Sequence, residues 1–158
     1  MITDIIENNN YKDLIVKQVQ ETIEYLLKNN HTFSVTANIE PVVFNPELPS
    51  TIQDQLQKFT LFVLENYTYT TVEIKDECLH FEAGFGSENF GSNVKIPLHS
   101  IFQVVVDESI LYLNSVATVD KFNKDTKNSN SPGKKDQRLI HIGKGSMSVS
   151  HLVRFNPP

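Results

Sequence analysis

The chain has 158 residues, of which 39% are hydrophobic, and a formal net charge of −5. This length suits one domain with tails and a core of ordinary size. A single cysteine, Cys78, excludes an internal disulfide and favours a reducing cytoplasm. The short Ile5-Ile6 run is followed by Glu7, and no segment approaches the roughly 20 apolar residues of a membrane span.

The charge is divided unevenly along the chain. Residues 1–119 hold 16 acidic and 6 basic residues, a net of −10, whereas residues 120–158 hold 3 acidic and 8 basic, a net of +5. Such asymmetry is typical of an interaction tail, although a merely solvated tail has the same composition. Nucleic-acid binding is disfavoured because the acidic body repels phosphates and no nucleic-acid motif accompanies the tail.

The N-terminal third predicts a helix followed by a strand. Residues 1–10 are polar and Asn-rich, which indicates a flexible N-terminus. From Tyr11 to Lys28, apolar residues recur every three or four positions and predict an amphipathic helix that docks on a sheet or in a dimer contact. Alternation from Phe33 to Ile39 then predicts a half-buried strand.

Three prolines, Pro41, Pro46 and Pro49, predict an irregular connection. Its Val42-Val43-Phe44 run would plug the end of the sheet or line a groove. Ser50 and Gln53 have the spacing of a capping box, which predicts a short helix through Leu56.

The segment from Phe59 to Asn114 predicts an antiparallel meander. Turns are expected at residues 75–77 and 107–108, a loop at 86–93 and a bend at Pro97, since proline cannot donate to a central ladder. The predicted strands are Phe59–Leu64, Tyr67–Ile74, Leu79–Phe85, Val94–Ile96, Ile101–Val106 and Ile110–Leu113.

After Val119 the composition changes to that of a flexible linker, rich in Lys, Asn and Ser. Residues 120–158 therefore predict a basic tail. Its apolar tip, Leu152-Val153-Arg154-Phe155, has the form of a docking peptide. An added edge strand and an expression leftover are alternative interpretations.

Catalytic chemistry is hard to find in this sequence. The five histidines are scattered without metal-ligand spacing, so we expect no metal and no cofactor. Cys78 and His80 share a predicted strand face, but no triad or oxyanion-holding glycine loop accompanies them. Glu73, Glu82 and the neighbouring acids predict a solvated rim. We therefore expect that the protein is not an enzyme.

The glycines at Gly84 and Gly86 precede more β structure rather than a helix, so they do not form a phosphate-binding loop. Glycine in a strand permits close approach by another backbone, such as a peptide laid along Phe81–Gly86. A barrel corner is the structural alternative.

Two segments of the meander, an F-x-x-x-F-G strand and a V-x-[IV]-P-[LF]-x-[AS]-[IV] run, resemble a known family. They are similar to the core of the SspB family, bacterial adaptors that carry ssrA-tagged proteins to the ClpXP protease. The resemblance covers about residues 11–114. Its positions here are Phe81, Phe85, Gly86, Val94, Ile96, Pro97, Leu98, Ser100 and Ile101.

The resemblance implies a mainly β fold at the border of α+β. An N-terminal amphipathic helix would precede a small antiparallel, partly open barrel or two-sheet domain over residues 11–119, with a disordered C-terminal tail. It also implies a cytoplasmic homodimer without catalytic activity. The tail peptide Leu152–Phe155 would dock on the N-terminal domain of ClpX, tethering substrate at the protease.

The residues expected to bind the tag follow from the same resemblance. A groove on the sheet would hold the ssrA tag in extended form, and its predicted residues are Leu64, Asn66, Tyr67, Phe81, Ala83, Phe85 and Gly86. The alternative function is a peptide- or RNA-binding small barrel with no protease role, because such barrels also bind single strands through aromatic and basic residues.

Overall fold

The structure is a computed structural model that describes residues 1–125. Two short 3-10 helices, Leu98–Ser100 and Ser115–Thr118, flank the last hairpin. The α-helices are α1 (Ile2–Ile6), α2 (Asn9–Lys28), α3 (Ser50–Gln53), α4 (Asn66–Thr71) and α5 (Asp120–Asp125). The strands are β1 (Phe33–Asn38), β2 (Val43–Asn45), β3 (Phe59–Leu64), β4 (Glu73–Lys75), β5 (Cys78–Phe85), β6 (Phe90–Pro97), β7 (Ile101–Val106) and β8 (Ser109–Leu113).

The strands form two antiparallel sheets of four. Sheet I has the order β3-β1-β7-β8, and sheet II has the order β2-β6-β5-β4. The predicted helix-then-sheet order and the two-sheet alternative are confirmed, and the fold is α+β. The barrel alternative is wrong, because the two sheets are separate and do not close.

The core lies between the inner faces of the two sheets. Phe62 of sheet I is 1% exposed, and its ring centroid lies 5.8 Å from that of Phe81 and 6.4 Å from that of Phe44, both in sheet II. Phe44 also meets Phe85 edge-on, with centroids 5.6 Å apart. These aromatic contacts join the sheets in offset geometries that aromatic pairs prefer.

The predicted N-terminal helix is present as α2. Its apolar stripe is buried at Ile15, Val19 and Ile23, as an amphipathic helix docked on a core requires. The Asn8 carboxamide oxygen caps it by accepting hydrogen bonds from the N–H groups of Asn10 and Tyr11, at 2.8 and 3.3 Å. Residues 1–10, predicted to be a flexible N-terminus, contain α1 and the start of α2.

Strand β1 is more buried than its alternation predicts. Thr36 and Asn38, expected on a solvent face, are 4% and 1% exposed. Both ends of the Asn38 carboxamide are hydrogen-bonded: its Nδ2 donates to the Ala117 carbonyl at 3.0 Å, and its Oδ1 accepts from the Glu40 N–H at 3.1 Å. The strand is central in sheet I, so the outward Thr36 lies between the side chains of its register partners Leu61 on β3 and Gln103 on β7.

The predicted strand Tyr67–Ile74 is wrong over most of its length. Residues Asn66–Thr71 form α4, and only Glu73–Lys75 forms β4. The alternation of Tyr and Thr resembles a half-buried strand, but tertiary contacts favour the helix. Thr68 is fully buried, and the Tyr69 ring packs edge-on against Phe33 with centroids 6.3 Å apart.

The proline-bearing connection forms an edge strand rather than a plug. Val43–Asn45 is β2, which pairs with β6 and directs Phe44 into the core. β6 itself begins at Phe90, four residues before the predicted start, so the loop shortens to residues 86–89. The bend predicted at Pro97 is confirmed, because β6 ends there and a 3-10 helix follows.

Both predicted acidic turns are confirmed as two-residue hairpins. Asp76 and Glu77 have φ of 53° and 58°, and Asp107 and Glu108 have φ of 50° and 68°. Two successive positive φ values match the twist of the flanking strands. The helix predicted to run through Leu56 ends at Gln53 and has no side-chain cap. Beyond the predicted boundary at Val119, α5 occupies Asp120–Asp125.

Candidate functional site

Strand β5 extends well beyond its neighbour β4. β4 pairs only with Cys78–His80, whereas β6 pairs with all eight residues from Cys78 to Phe85. The half of β5 from Phe81 to Phe85 therefore has a strand on one side only. A sheet edge of this kind is where an extended peptide can add as a further strand.

Helix α4 stands beside this edge in the position that a strand would take. The N–H of Glu82 donates to the Thr71 hydroxyl oxygen at 2.9 Å rather than to a strand carbonyl. The Tyr67 hydroxyl lies 3.2 Å from Oε1 of Glu82 and donates to it. A side chain of this short helix thus supplies the hydrogen-bond acceptor that a neighbouring strand would otherwise offer to the Glu82 N–H.

The main chain of Gly84 faces the same edge. In an antiparallel strand, the N–H and C=O groups of every second residue point to the same neighbour, so Gly84 follows Glu82 in this respect. Gly84 is buried. The Asn89 carboxamide lies where a Cβ at Gly84 would be, and its oxygen is itself buried without a hydrogen-bond partner. We name Glu82–Gly84, with Thr71 and Asn89 over it, the covered edge.

The electrostatics of the covered edge come from one carboxylate. The negative charge of Glu82, followed by its hydrogen bond, raises the pKa of the Tyr67 phenol above its ordinary value. At neutral pH the phenol therefore stays protonated and can donate to Glu82 or to a ligand carbonyl. Tyr67 is 42% exposed, so its ring is also available to a ligand side chain.

Four of the predicted tag-binding residues have side chains in the core. Leu64 and Phe85 are fully buried, Phe81 is 3% exposed and Ala83 is 7% exposed. Their side chains shape the inner face of the sheets. By the same alternation, the N–H and C=O groups of the three on β5 point to β6, so a strand added at the covered edge would pair with Glu82 and Gly84 instead.

The other three predicted residues lie on the surface around the edge. Asn66 and Tyr67 open α4, and Asn66 has a φ of 54°, in the left-handed region. Gly86 starts the β5–β6 turn with a φ of +75°, and a Cβ there would meet Ile52 Cδ1 at 2.9 Å. Gly86 is thus required by the turn and by its contact with α3.

The sequence did not predict that Glu82, Thr71 and Asn89 belong to the candidate site. Glu82 was assigned to a solvated acidic rim, although its place on the polar face of β5 could have indicated contact with a neighbouring element. Thr71 was placed in a strand that does not form. Asn89 was assigned to a loop, and nothing in the sequence signals that its side chain covers Gly84.

The pair Cys78 and His80 does not have the properties of an activated nucleophile. Burial raises the pKa of the Cys78 thiol, the nearby Lys95 opposes this, and Asp76 and Glu77 add to it. A raised pKa keeps the thiol protonated and weakly nucleophilic at neutral pH. Within residues 1–125, no three His, Cys, Asp or Glu side chains are grouped to hold a metal ion.

The helices of the described part of the chain include none that is long and apolar enough to cross a membrane. The predicted docking peptide Leu152, Val153, Arg154 and Phe155 lies outside the described residues, as does the rest of the chain after residue 125. The chain matches no protein-family model, no curated protein and no solved structure at a significant level.

Proposed function

We propose that this protein is a non-enzymatic adaptor that binds an extended peptide along the covered edge of β5. The observation that carries the proposal is the unequal length of β4 and β5. Five residues of β5, Phe81–Phe85, continue past the end of β4, and a helix side chain takes the place of a strand there. Main-chain pairing supplies affinity in such a mode, and neighbouring side chains supply selectivity.

Binding in this mode requires the cover to move. A ligand strand would replace the Thr71 hydroxyl as the partner of the Glu82 N–H, while Asn89 lies over the outward face of the sheet at Gly84. The direct contact with the edge is a single side-chain hydrogen bond, which a ligand carbonyl can replace. Because Thr68 is fully buried and Tyr69 packs on Phe33, admitting a strand also requires the end of α4 to shift, and the ligand has to offset that cost.

The SspB resemblance supports ssrA-type degradation tags as the ligand and ClpX as the partner. The residues that carry it fall on β5, the turn after it, β6, the following 3-10 helix and the start of β7, and two of them, Phe81 and Phe85, flank the covered edge along β5. In this proposal the protein is a cytoplasmic homodimer, and the tail peptide Leu152–Phe155 binds the N-terminal domain of ClpX. Tethering raises the effective concentration of the tagged substrate at the unfoldase.

Single-stranded nucleic acid is the weaker candidate for this surface. On the outward face of sheet II, Lys75 and Lys95 are accompanied by Glu73 and Glu82, so the lysines offer no continuous basic track. A phosphate backbone binds through several unopposed cations. A peptide needs no such track, because its main chain carries the pairing groups.

The test is fluorescence anisotropy with a labelled ssrA-tag peptide and a scrambled control. We expect binding that depends on the tag sequence. Thr71→Val should tighten it by about fivefold, because the Glu82 N–H is then unpaired until the ligand arrives. Thr70→Val is the matched control: its hydroxyl donates only to the Tyr67 carbonyl, at 2.6 Å, and does not touch β5.

The two parts of the proposal fail separately. Equal binding of the tag and the scrambled peptide would exclude tag recognition. Selective binding that responds equally to the two threonine variants would keep tag recognition but move it away from the covered edge.

A further inference from the structure

The Glu82 side chain lies on the outward face of sheet II, directly at the covered edge. It is exposed, whereas Phe81 and Ala83, which precede and follow it on β5, point into the core. Oε1 of its carboxylate accepts a hydrogen bond from the Tyr67 hydroxyl at 3.2 Å, and among residues 1–125 the carboxylate forms no ion pair. The proposed peptide site therefore contains a negative charge that the described part of the chain does not neutralise.

The register of sheet II explains why no lysine of the same face pairs with Glu82. On β6 its partner is the uncharged Asn93, whereas Lys95 is the partner of His80. Lys95 is thus a diagonal neighbour of Glu82, about 7–8 Å away in an antiparallel pair. Lys75 on β4 lies farther along the strands. The position directly beside Glu82 on the side of the covered edge is left to a ligand.

A peptide strand added at the covered edge would bring one of its own side chains to this position. The Glu82 N–H points to the edge, since it donates to the Thr71 hydroxyl at 2.9 Å. The ligand residue that pairs with Glu82 directs its side chain to the same outward face, with the two Cβ atoms about 4.5–5.5 Å apart. The next ligand residue points to the opposite face, so the carboxylate acts on one position of the ligand.

We propose that the ligand of the covered edge carries a basic residue, lysine or arginine, at the position that pairs with Glu82. The inference rests on the proposed function and adds the class of ligand: an extended segment with a cation at one fixed position. Opposite charges that face each other across two strands stabilise the pairing, and like charges destabilise it. Tyr67 donates to Oε1, so Oε2 is available to the ligand cation.

This position supplies selectivity that main-chain pairing lacks. The N–H and C=O groups of β5 pair with any extended peptide, whatever its side chains. The Glu82 carboxylate distinguishes a basic residue from an acidic one at a single register. It therefore favours one alignment of a given peptide along β5 over the alignments that are shifted by two residues.

The test is fluorescence anisotropy of the full chain with labelled ssrA-tag peptides in which each position in turn is replaced by lysine or by glutamate. We expect one position at which lysine gives about tenfold tighter binding than glutamate. Glu82→Gln, which keeps an acceptor oxygen for Tyr67, should abolish this preference, and Glu82→Lys should reverse it. Glu21→Lys, at an exposed position of α2, changes the net charge equally and should leave the preference intact.

Circular dichroism establishes that each variant is folded, and if Glu82→Lys does not fold, Glu82→Gln decides the question. Peptides that bind but show no such position overturn the inference and leave the proposed function in place. A preference that persists in Glu82→Gln, or that Glu21→Lys also abolishes, overturns the inference as well, because the charge then acts from elsewhere. If no peptide of the panel binds, the proposed function fails and the inference fails with it.

Discussion

The two sheets have similar sizes and very different chemistry. The 23 residues of sheet I include no charged side chain, whereas the 22 residues of sheet II carry Glu73, Lys75, Glu82 and Lys95. Each sheet buries its apolar inner face against the inner face of the other sheet. The difference therefore lies in their outward faces, because the strands of sheet I carry no charge and sheet II carries both signs.

The charged sheet is also the one that carries the proposed peptide site. A covered strand edge suits an exchangeable ligand, because main-chain groups pair with any extended sequence and the cover competes.

The largest effect on stability is expected where the inner faces of the two sheets meet. Phe62→Ala should lower the free energy of unfolding by about 3–5 kcal/mol, because it opens a cavity beside Phe44 and Phe81. The matched change is Phe59→Ala on the outward side of the same strand, where the half-buried ring meets Phe102 at 5.0 Å between centroids. Urea unfolding should show a clearly smaller loss there, and equal losses would contradict the assignment of inner and outer faces.

The connection between the sheets should be sensitive to acid. His99 lies in the 3-10 helix that joins β6 of sheet II to β7 of sheet I. Burial, followed by the charge of Lys12, lowers its pKa to about 4. Because the unfolded histidine takes up its proton first, its contribution to stability is present above about pH 6.5 and is lost as the pH falls towards about 4.

His99→Gln should therefore reduce the loss of stability between about pH 7 and about pH 4.5 by about 2 kcal/mol. Urea unfolding at the two pH values measures this difference and cancels the contribution of groups that both proteins share. An unchanged difference would mean that His99 does not titrate in this range.

The covered edge can be tested with a pair of glycines that face each other. Gly84 and Gly91 are register partners on β5 and β6, but a Cβ at Gly84 would collide with Asn89, while one at Gly91 meets nothing within 4 Å. Gly84→Ala should lower the free energy of unfolding by about 1 kcal/mol. Gly91→Ala should raise it by about 0.5 kcal/mol, since alanine loses less backbone entropy in a strand. Indistinguishable melting curves would mean that Asn89 does not lie over Gly84.

The smallest effect is expected at Cys78. The residue is 8% exposed on sheet II, and its raised pKa makes it a poor nucleophile. Cys78→Ser should leave peptide binding unchanged in the anisotropy assay. An enzymatic activity that this substitution abolished would contradict a purely adaptor role.

The sequence pattern was sufficient to predict those elements whose physical cause lies within a few neighbouring residues. The stripe on α2, the alternation in β5 and the paired acids at residues 76–77 and 107–108 depend on side-chain period or turn geometry within a few residues. These features are read correctly because their physical causes are local. The side chain of Thr71 could not be placed, since its strand-like setting of Tyr and Thr is overruled by contacts with residues far away in the chain.

The sequence by itself determined a helix, a set of antiparallel strands and an acidic body with a basic tail. The tertiary structure decided that the strands separate into two sheets, that α4 stands beside β5, and that the Asn89 side chain covers Gly84. It also decided that the uncharged strands come together in one sheet with an exposed face. Strand order and the position of α4 depend on contacts between distant residues, and periodicity within one segment carries no information about them.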